Sequence, residues 1–123
     1  MLSIPKSTQV IQTAGQSYST LNSDLKVSLP CIEVQDVCYQ LTLEYYSNPS
    51  DTLNLFWKLD SNSIGINQSC GSDCASMDLN FQITIPKIEF EGNFYQVVLN
   101  KYNNPVDFFN LYWMLDLASI QAL

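Results

Sequence analysis

An internal repeat restricts the fold of this sequence more than any other feature. Residues 85–120 align without a gap with residues 29–64, at a constant offset of 56, and 17 of the 36 paired positions are identical. Upstream the match weakens but keeps its alternation of apolar residues. We interpret the chain as two tandem units of about 56 residues. These are residues 9–64 (the first segment) and 65–120 (the second segment), within a single β domain that spans residues 1–123.

Each segment has the sequence pattern of a β-meander. Apolar and polar residues alternate from Leu25 to Leu29, which is typical of a half-buried strand. The apolar positions change parity after Pro30, and this change predicts a bulge that bends the strand. Residues 35–36 (Gln-Asp) and 91–92 (Glu-Gly) predict two-residue hairpin turns.

The last part of each segment predicts a turn followed by a strand. Residues 48–51, Asn-Pro-Ser-Asp, have turn chemistry, and alternation resumes after them. Four residues are predicted to face the core: Leu53, Leu55, Trp57 and Leu59. Trp113 is the counterpart of Trp57 and is expected to be equally buried. With a further strand near residues 9–13, the prediction is an all-β, internally duplicated fold of about seven to nine strands, arranged as a pseudo-twofold sandwich or barrel.

Composition excludes several classes of function. The chain has no histidine and no arginine, and its five lysines face twelve carboxylates, for a net charge of −7. Nucleic-acid binding is excluded because it depends on neutralising phosphates with basic side chains. Histidine-based triads and imidazole zinc sites are excluded by residue type. No apolar run reaches the roughly 18 residues of a membrane helix. The repeated Glu33 and Glu89 do not form a differentiated acid–base pair, so we expect no enzyme and no cofactor.

Four cysteines, Cys31, Cys38, Cys70 and Cys74, allow three disulfide pairings. Cys31 and Cys38 both lack a cysteine at the aligned position in the second segment. Cys70 and Cys74 likewise both lack a cysteine at the aligned position in the first segment. This pattern predicts the pairs Cys31–Cys38 and Cys70–Cys74. The alternative is a metal site of four thiolates, for which the spacing is poor. Disulfides persist in oxidising environments, so we expect an extracellular or cell-surface location.

Two binding sites are conceivable from the repeated polar and aromatic residues. The repeated carboxylates are weak calcium candidates: Asp51, Asp107, Asp60 and Asp116. The competing interpretation is turn chemistry, in which these side chains accept hydrogen bonds from the local backbone. Four aromatic residues on the outward parity are candidates for stacking on a glycan: Tyr46, Tyr102, Phe56 and Tyr112.

The two final strands differ in one respect that bears on function. Positions that are polar in the first segment, such as Thr52 and Lys58, become Phe108 and Met114 in the second. An exposed apolar stripe of this kind predicts an interface. The predicted interface comprises Val106, Phe108, Tyr112 and Met114, and an N-terminal partner segment that carries Leu2, Ile4, Val10 and Ile11.

These observations favour an exported structural or assembly module, such as a subunit of an extracellular filament or surface polymer. Its expected partners are copies of itself or other protein subunits. The alternative function is a glycan- or calcium-binding β module of a cell-surface protein.

Overall fold

The computed structural model describes residues 10, 11 and 17–123. This part of the chain contains ten strands and one 3-10 helix, Leu117–Ser119, and no α-helix. The strands are β1 (Val10–Ile11), β2 (Ser19–Leu21), β3 (Val27–Val34), β4 (Val37–Tyr46), β5 (Phe56–Asn67), β6 (Ala75–Met77), β7 (Ile83–Phe90), β8 (Asn93–Tyr102), β9 (Tyr112–Leu115) and β10 (Gln121–Ala122). Within the same residues no helix is long and apolar enough to cross a membrane.

Seven of the strands form a closed barrel in the order β2, β3, β4, β5, β9, β8 and β7. The ring closes because β2 pairs with β3 on one side and, in parallel, with β7 on the other. β6 makes a second bridge, parallel to β3 and antiparallel to β7. The prediction of an all-β fold is confirmed, and of the two predicted architectures the structure is the barrel.

Local sequence features shape the two long hairpins as predicted. The register between β3 and β4 shifts between Leu29 and Ile32, where the parity change at Pro30 predicted a bulge. The shift between β7 and β8 occurs 56 residues later. Both turns have positive φ angles at their two central residues, 49° and 67° in one and 51° and 81° in the other. These angles are typical of the type I′ turn, whose twist matches that of the paired strands.

The two tryptophans lie at the centre of the core. Trp57 in β5 pairs with Trp113 in β9, and both are buried. Each indole N–H donates a 2.6 Å hydrogen bond to a backbone carbonyl 32 residues upstream, that of Leu25 or Phe81. Both acceptor residues have positive φ, 59° and 63°. The prediction of equivalent burial is confirmed, and the hydrogen bond gives each indole the partner that a buried N–H requires.

We expect Trp57→Ala and Trp113→Ala each to lower the free energy of unfolding by about 3–5 kcal/mol, because each removes a large core side chain. Urea unfolding followed by far-UV circular dichroism measures the change. A loss below about 1 kcal/mol for either variant would contradict the burial of that indole.

The predicted position of the last strand was wrong. β5 begins at Phe56, and Leu53, which was expected to face the core, is 90% exposed. The Asp51 carboxylate accepts hydrogen bonds from the backbone N–H groups of Leu53 and Asn54 and from the Asn54 side chain. These bonds extend the turn through residues 48–55, because they compete with strand pairing for the same backbone groups.

The predicted disulfides, Cys31–Cys38 and Cys70–Cys74, were also wrong. The structure pairs Cys31 with Cys74 and Cys38 with Cys70, with Cα atoms 5.0 and 5.8 Å apart. β3 runs parallel to β6, and this pairing brings Cys31 beside Cys74. The observed bonds join each cysteine of the pair Cys31/Cys38 to one of the pair Cys70/Cys74. They explain why both members of each pair lack a thiol at the aligned positions as well as bonds within each pair would. The bonds hold residues 68–74 against the β3–β4 hairpin.

Different side chains make the corresponding contact 56 residues away. In the alignment at an offset of 56, Lys87, Phe94 and Tyr18 correspond to Cys31, Cys38 and Cys74. The Lys87 ammonium lies 4.7 Å from the ring centroid of Phe94 and 5.2 Å from that of Tyr18. The two rings meet edge to face at 5.4 Å. At these aligned positions a cation–π cluster therefore joins side chains whose counterparts are joined by disulfides.

Peptide mapping checks the disulfide pairing. Cleavage after lysine without reductant should release residues 27–58 covalently joined to residues 59–87, since each fragment holds two cysteines that bond to the other. Further cleavage before aspartate should leave residues 27–35 bonded to residues 73–77. Separate lysine fragments without reductant would contradict the pairing.

Candidate association surface

The loop of residues 104–111, between β8 and β9, is fixed by its own side chains. The Asn104 side-chain oxygen accepts a 3.0 Å hydrogen bond from the Val106 N–H. The Asp107 carboxylate accepts from the backbone N–H groups of Phe109 and Asn110, at 3.0 and 3.3 Å. It also accepts a 2.9 Å bond from the Asn110 side-chain amide. Four internal hydrogen bonds therefore define the path of a loop that lies outside the sheet.

An aromatic cluster supports the base of this loop. Tyr46, Phe56, Tyr102 and Tyr112 pack edge to face on the outer side of the barrel, with the two closest ring pairs 4.6 and 4.9 Å apart between centroids. Phe56 and Tyr112 are buried, although their parity points away from the core. The Tyr112 hydroxyl donates a 2.7 Å hydrogen bond to the Asp107 carboxylate. The loop is thus tied directly to β9.

Three apolar side chains of the loop are exposed to solvent. Val106, Phe108 and Phe109 are 83%, 85% and 98% exposed. We call these three residues the apolar tip. Backbone and side-chain hydrogen bonds hold the chain that carries them, so the apolar tip is presented outward rather than folded onto the barrel. The three residues fall within four consecutive positions, and grouped exposed apolar side chains commonly mark an interaction site.

The loop of residues 48–55, at the same place in the first segment, has the same framework and different chemistry. Asn48 and Asp51 accept the same backbone hydrogen bonds as Asn104 and Asp107. The positions of the apolar tip hold Ser50, Thr52 and Leu53. Phe56 replaces Tyr112 and has no hydroxyl for the carboxylate. The framework therefore tolerates polar residues at the tip, and its own folding does not require Val106 or Phe108.

The structure places the four predicted interface residues differently from the prediction. Val106 and Phe108 are exposed, but they belong to a loop and not to the outward face of a strand. Tyr112 is buried, and Met114 lies half-buried opposite Phe56 in β5. The predicted stripe of four residues was therefore wrong as a strand face. The sequence argument missed Phe109 because a strand through this region would have pointed it inward.

The predicted N-terminal partner segment lies partly outside the described residues, which do not include Leu2 and Ile4. Val10 and Ile11 form β1, whose backbone runs parallel to β5 beside Ile66 and Asn67 of the same chain.

The repeated carboxylates, weak calcium candidates in the sequence, make local hydrogen bonds. Asp51 and Asp107 accept from their own loops as described above. Asp60 and Asp116 each accept a 3.1 Å bond from the backbone N–H two residues later. Each of the four side chains therefore makes the contacts that turn chemistry predicts. For the glycan alternative, the buried Phe56 and Tyr112 offer no ring face on which a sugar could stack.

The hydrogen bonds to Asp107 set its acidity. The Asn110 amide, and after it the Tyr112 hydroxyl, lower the pKa of the Asp107 carboxyl from 3.8 to about 2. Burial and the nearby Asp107 carboxylate raise the pKa of Tyr112 to about 12. The Asn54 amide likewise lowers the pKa of Asp51. The hydrogen bonds that hold the two loops therefore favour the charged form of Asp51 and Asp107.

We expect this acidity to set the pH range of the loop. The pKa of Asp107 is lower in the folded loop than the unfolded value of 3.8, so its charged carboxylate stabilises the loop fully above about pH 3.8. This stabilisation is lost as the pH falls toward 2. The backbone amide resonances of Phe109 and Asn110 should therefore stay constant from pH 7 to 4 and titrate with a midpoint near 2. The Leu53 and Asn54 amides, the internal comparison, should also titrate below 3.8. A midpoint at or above 3.8 in the 104–111 loop would contradict the hydrogen-bonded geometry.

Comparison of the chain with protein-family models, with curated proteins and with solved structures finds no match. Its function is therefore inferred from its own geometry.

Proposed function

We propose that the protein is an exported, non-enzymatic assembly module that associates with further copies of itself through the apolar tip. The observation that carries the proposal is the exposure of Val106, Phe108 and Phe109 on a loop that hydrogen bonds already hold in place. A contact made by such a loop loses little conformational entropy on binding, because its backbone is ordered before the partner arrives. Aromatic side chains are also frequent anchors of protein interfaces.

The size of the apolar tip supports a reversible contact. Full burial of a Val or Phe side chain contributes about 1.5–3 kcal/mol, and association itself costs at least about 4 kcal/mol. Three side chains therefore leave at most about 5 kcal/mol, which corresponds to a dissociation constant of about 0.2 mM, so we expect an affinity in the submillimolar to millimolar range. Each copy carries a net charge of −7, so like charges oppose the contact and added salt should strengthen it.

The proposal also includes export from the cell and assembly into a filament. Two disulfides are compatible with an extracellular location, since such bonds persist in oxidising compartments. If the apolar tip contacts a different surface of the next copy, the contact is heterologous and repeats without closing. An extracellular filament or surface polymer is the assembly that such a contact would build.

We also propose that the two segments are a duplication whose second loop has acquired the contact. In support, the tryptophan hydrogen bonds, the Asp-bonded loops and the positive-φ residues recur 56 positions apart. The inward residues differ little between the segments, while the tip changes from Ser50 and Thr52 to Val106 and Phe108.

Sedimentation equilibrium tests the proposal. The wild-type chain should show an apparent mass that rises with concentration up to about 1 mM and rises further with salt. The variant Val106→Ser/Phe108→Thr carries the residues of the 48–55 loop and should keep its fold. Its self-association should weaken at least about 100-fold, because it loses two buried apolar side chains.

The matched control is Leu53→Ser, which removes an exposed apolar residue from the other loop. It should associate as the wild type does. The proposal is wrong if the wild-type chain stays monomeric at about 1 mM in both low and high salt, or if the two variants weaken association equally.

A further inference from the structure

The barrel contains an apolar cavity at one end. Its volume is about 280 Å³, and thirteen residues line it, all of them apolar or aromatic. They include Trp57 on β5, Leu115 on β9 and Ile120, which follows the 3-10 helix. β9 runs from the loop of residues 104–111 toward the cavity, so the cavity and the apolar tip lie at opposite ends of that strand.

Several of the corresponding positions at the other end of the barrel hold larger or more deeply buried side chains. Leu21 lines the cavity, while Met77, 56 residues later, is buried in the core. Leu25 at the cavity corresponds to the larger Phe81. Ile120 is 42% exposed, whereas its counterpart Ile64 is 6% exposed. The cavity therefore lies where several side chains are smaller than their counterparts and Ile120 covers the core less, although Phe90 is larger than its counterpart Val34.

A more polar cleft adjoins the mouth of the cavity. Its volume is about 600 Å³, and it shares Leu21, Leu25 and Phe90 with the cavity. Its other lining residues include Asn22, Ser23, Glu89 and Glu91. Among the described residues that line the two spaces, two are carboxylates and none is basic.

We propose that the cavity and its mouth bind a small amphiphile with an apolar chain of about eight to ten carbons and a cationic or neutral head group. The size follows from the volume, because apolar cavities of roughly 150 Å³ in proteins take up benzene. The sign of the head follows from Glu89 and Glu91 at the mouth and from the net charge of −7. A carboxylate head would be repelled by the same groups.

Nuclear magnetic resonance offers a direct readout, because the chain has two indole N–H groups. Trp57 lines the cavity, whereas Trp113 does not. Titration with octylamine should shift the Trp57 indole resonance and leave that of Trp113 in place. Octanol should give the same shift, and octanoate should give none. Hexylamine should bind about tenfold more weakly than octylamine, because two buried methylene groups are lost.

Two variants separate the tail from the head. The cavity-filled variant, Leu25→Phe/Val27→Ile/Val97→Leu, introduces the larger residues found at the aligned positions 81, 83 and 41. It should raise the melting temperature and markedly weaken octylamine binding, because less of the cavity remains for the chain. Glu89→Gln/Glu91→Gln should weaken octylamine about two- to fivefold, as expected for exposed charges, and leave octanol unchanged.

Several results would overturn the proposal. These are no Trp57 shift at 1 mM octylamine, equal shifts of both indoles, unchanged binding in the cavity-filled variant, or octanoate binding as well as octylamine. If the cavity-filled variant loses self-association while octylamine leaves the Trp57 resonance unchanged in the wild type, the occupant is a side chain of another copy and the ligand proposal is wrong.

Discussion

Closure of the barrel depends on two short parallel pairings, β2 with β7 and β3 with β6. Each brings together strands that are distant in the sequence, so neither half of the chain can complete the core alone. The disulfides depend on the same pairings, because residues 68–74 reach the β3–β4 hairpin only when β6 lies beside β3. The long closed loops, 43 and 32 residues in sequence separation, restrict the unfolded chain more than the predicted short ones would.

The features that the sequence predicted correctly are local ones. The change in the parity of apolar residues at Pro30 predicted the bulge, and the two-residue turn sequences predicted the hairpins. The alternation of apolar and polar residues predicted that Trp57 and Trp113 lie in the core. Each depends on interactions within a few residues, or on a strand having one buried face. The choice between sandwich and barrel depends on parallel pairings between distant strands, and no local pattern carries that information.

The candidate site was only partly predictable for a related reason. Val106 and Phe108 were identified from their change in polarity, but they were assigned to a strand. A carboxylate that accepts backbone hydrogen bonds extends the turn by several residues, and alternation alone does not reveal this. The retained Asn54 and Asn110 were the available signal, because each donates its side-chain amide to the aspartate three residues earlier.

The two loops share a hydrogen-bonded framework and differ in the side chains that they carry. Asp51 and Asp107 build nearly the same framework, and an aromatic cluster supports both loops at their bases. Only the side chains at the tip differ substantially. A change of chemistry on a retained framework can alter binding without disturbing the core. The cavity shows a similar contrast inside the barrel, where Leu25 aligns with the larger Phe81.

Photo-cross-linking from the loop tests the central claim, association through the apolar tip, most directly. A benzophenone-bearing phenylalanine in place of Phe108 keeps an aromatic side chain there, and the same residue in place of the exposed Leu53 is the matched control. Irradiation at about 0.5 mM should yield covalent dimers and higher species from position 108 and few from position 53. Equal yields from the two positions, or only monomer from position 108, would contradict the account.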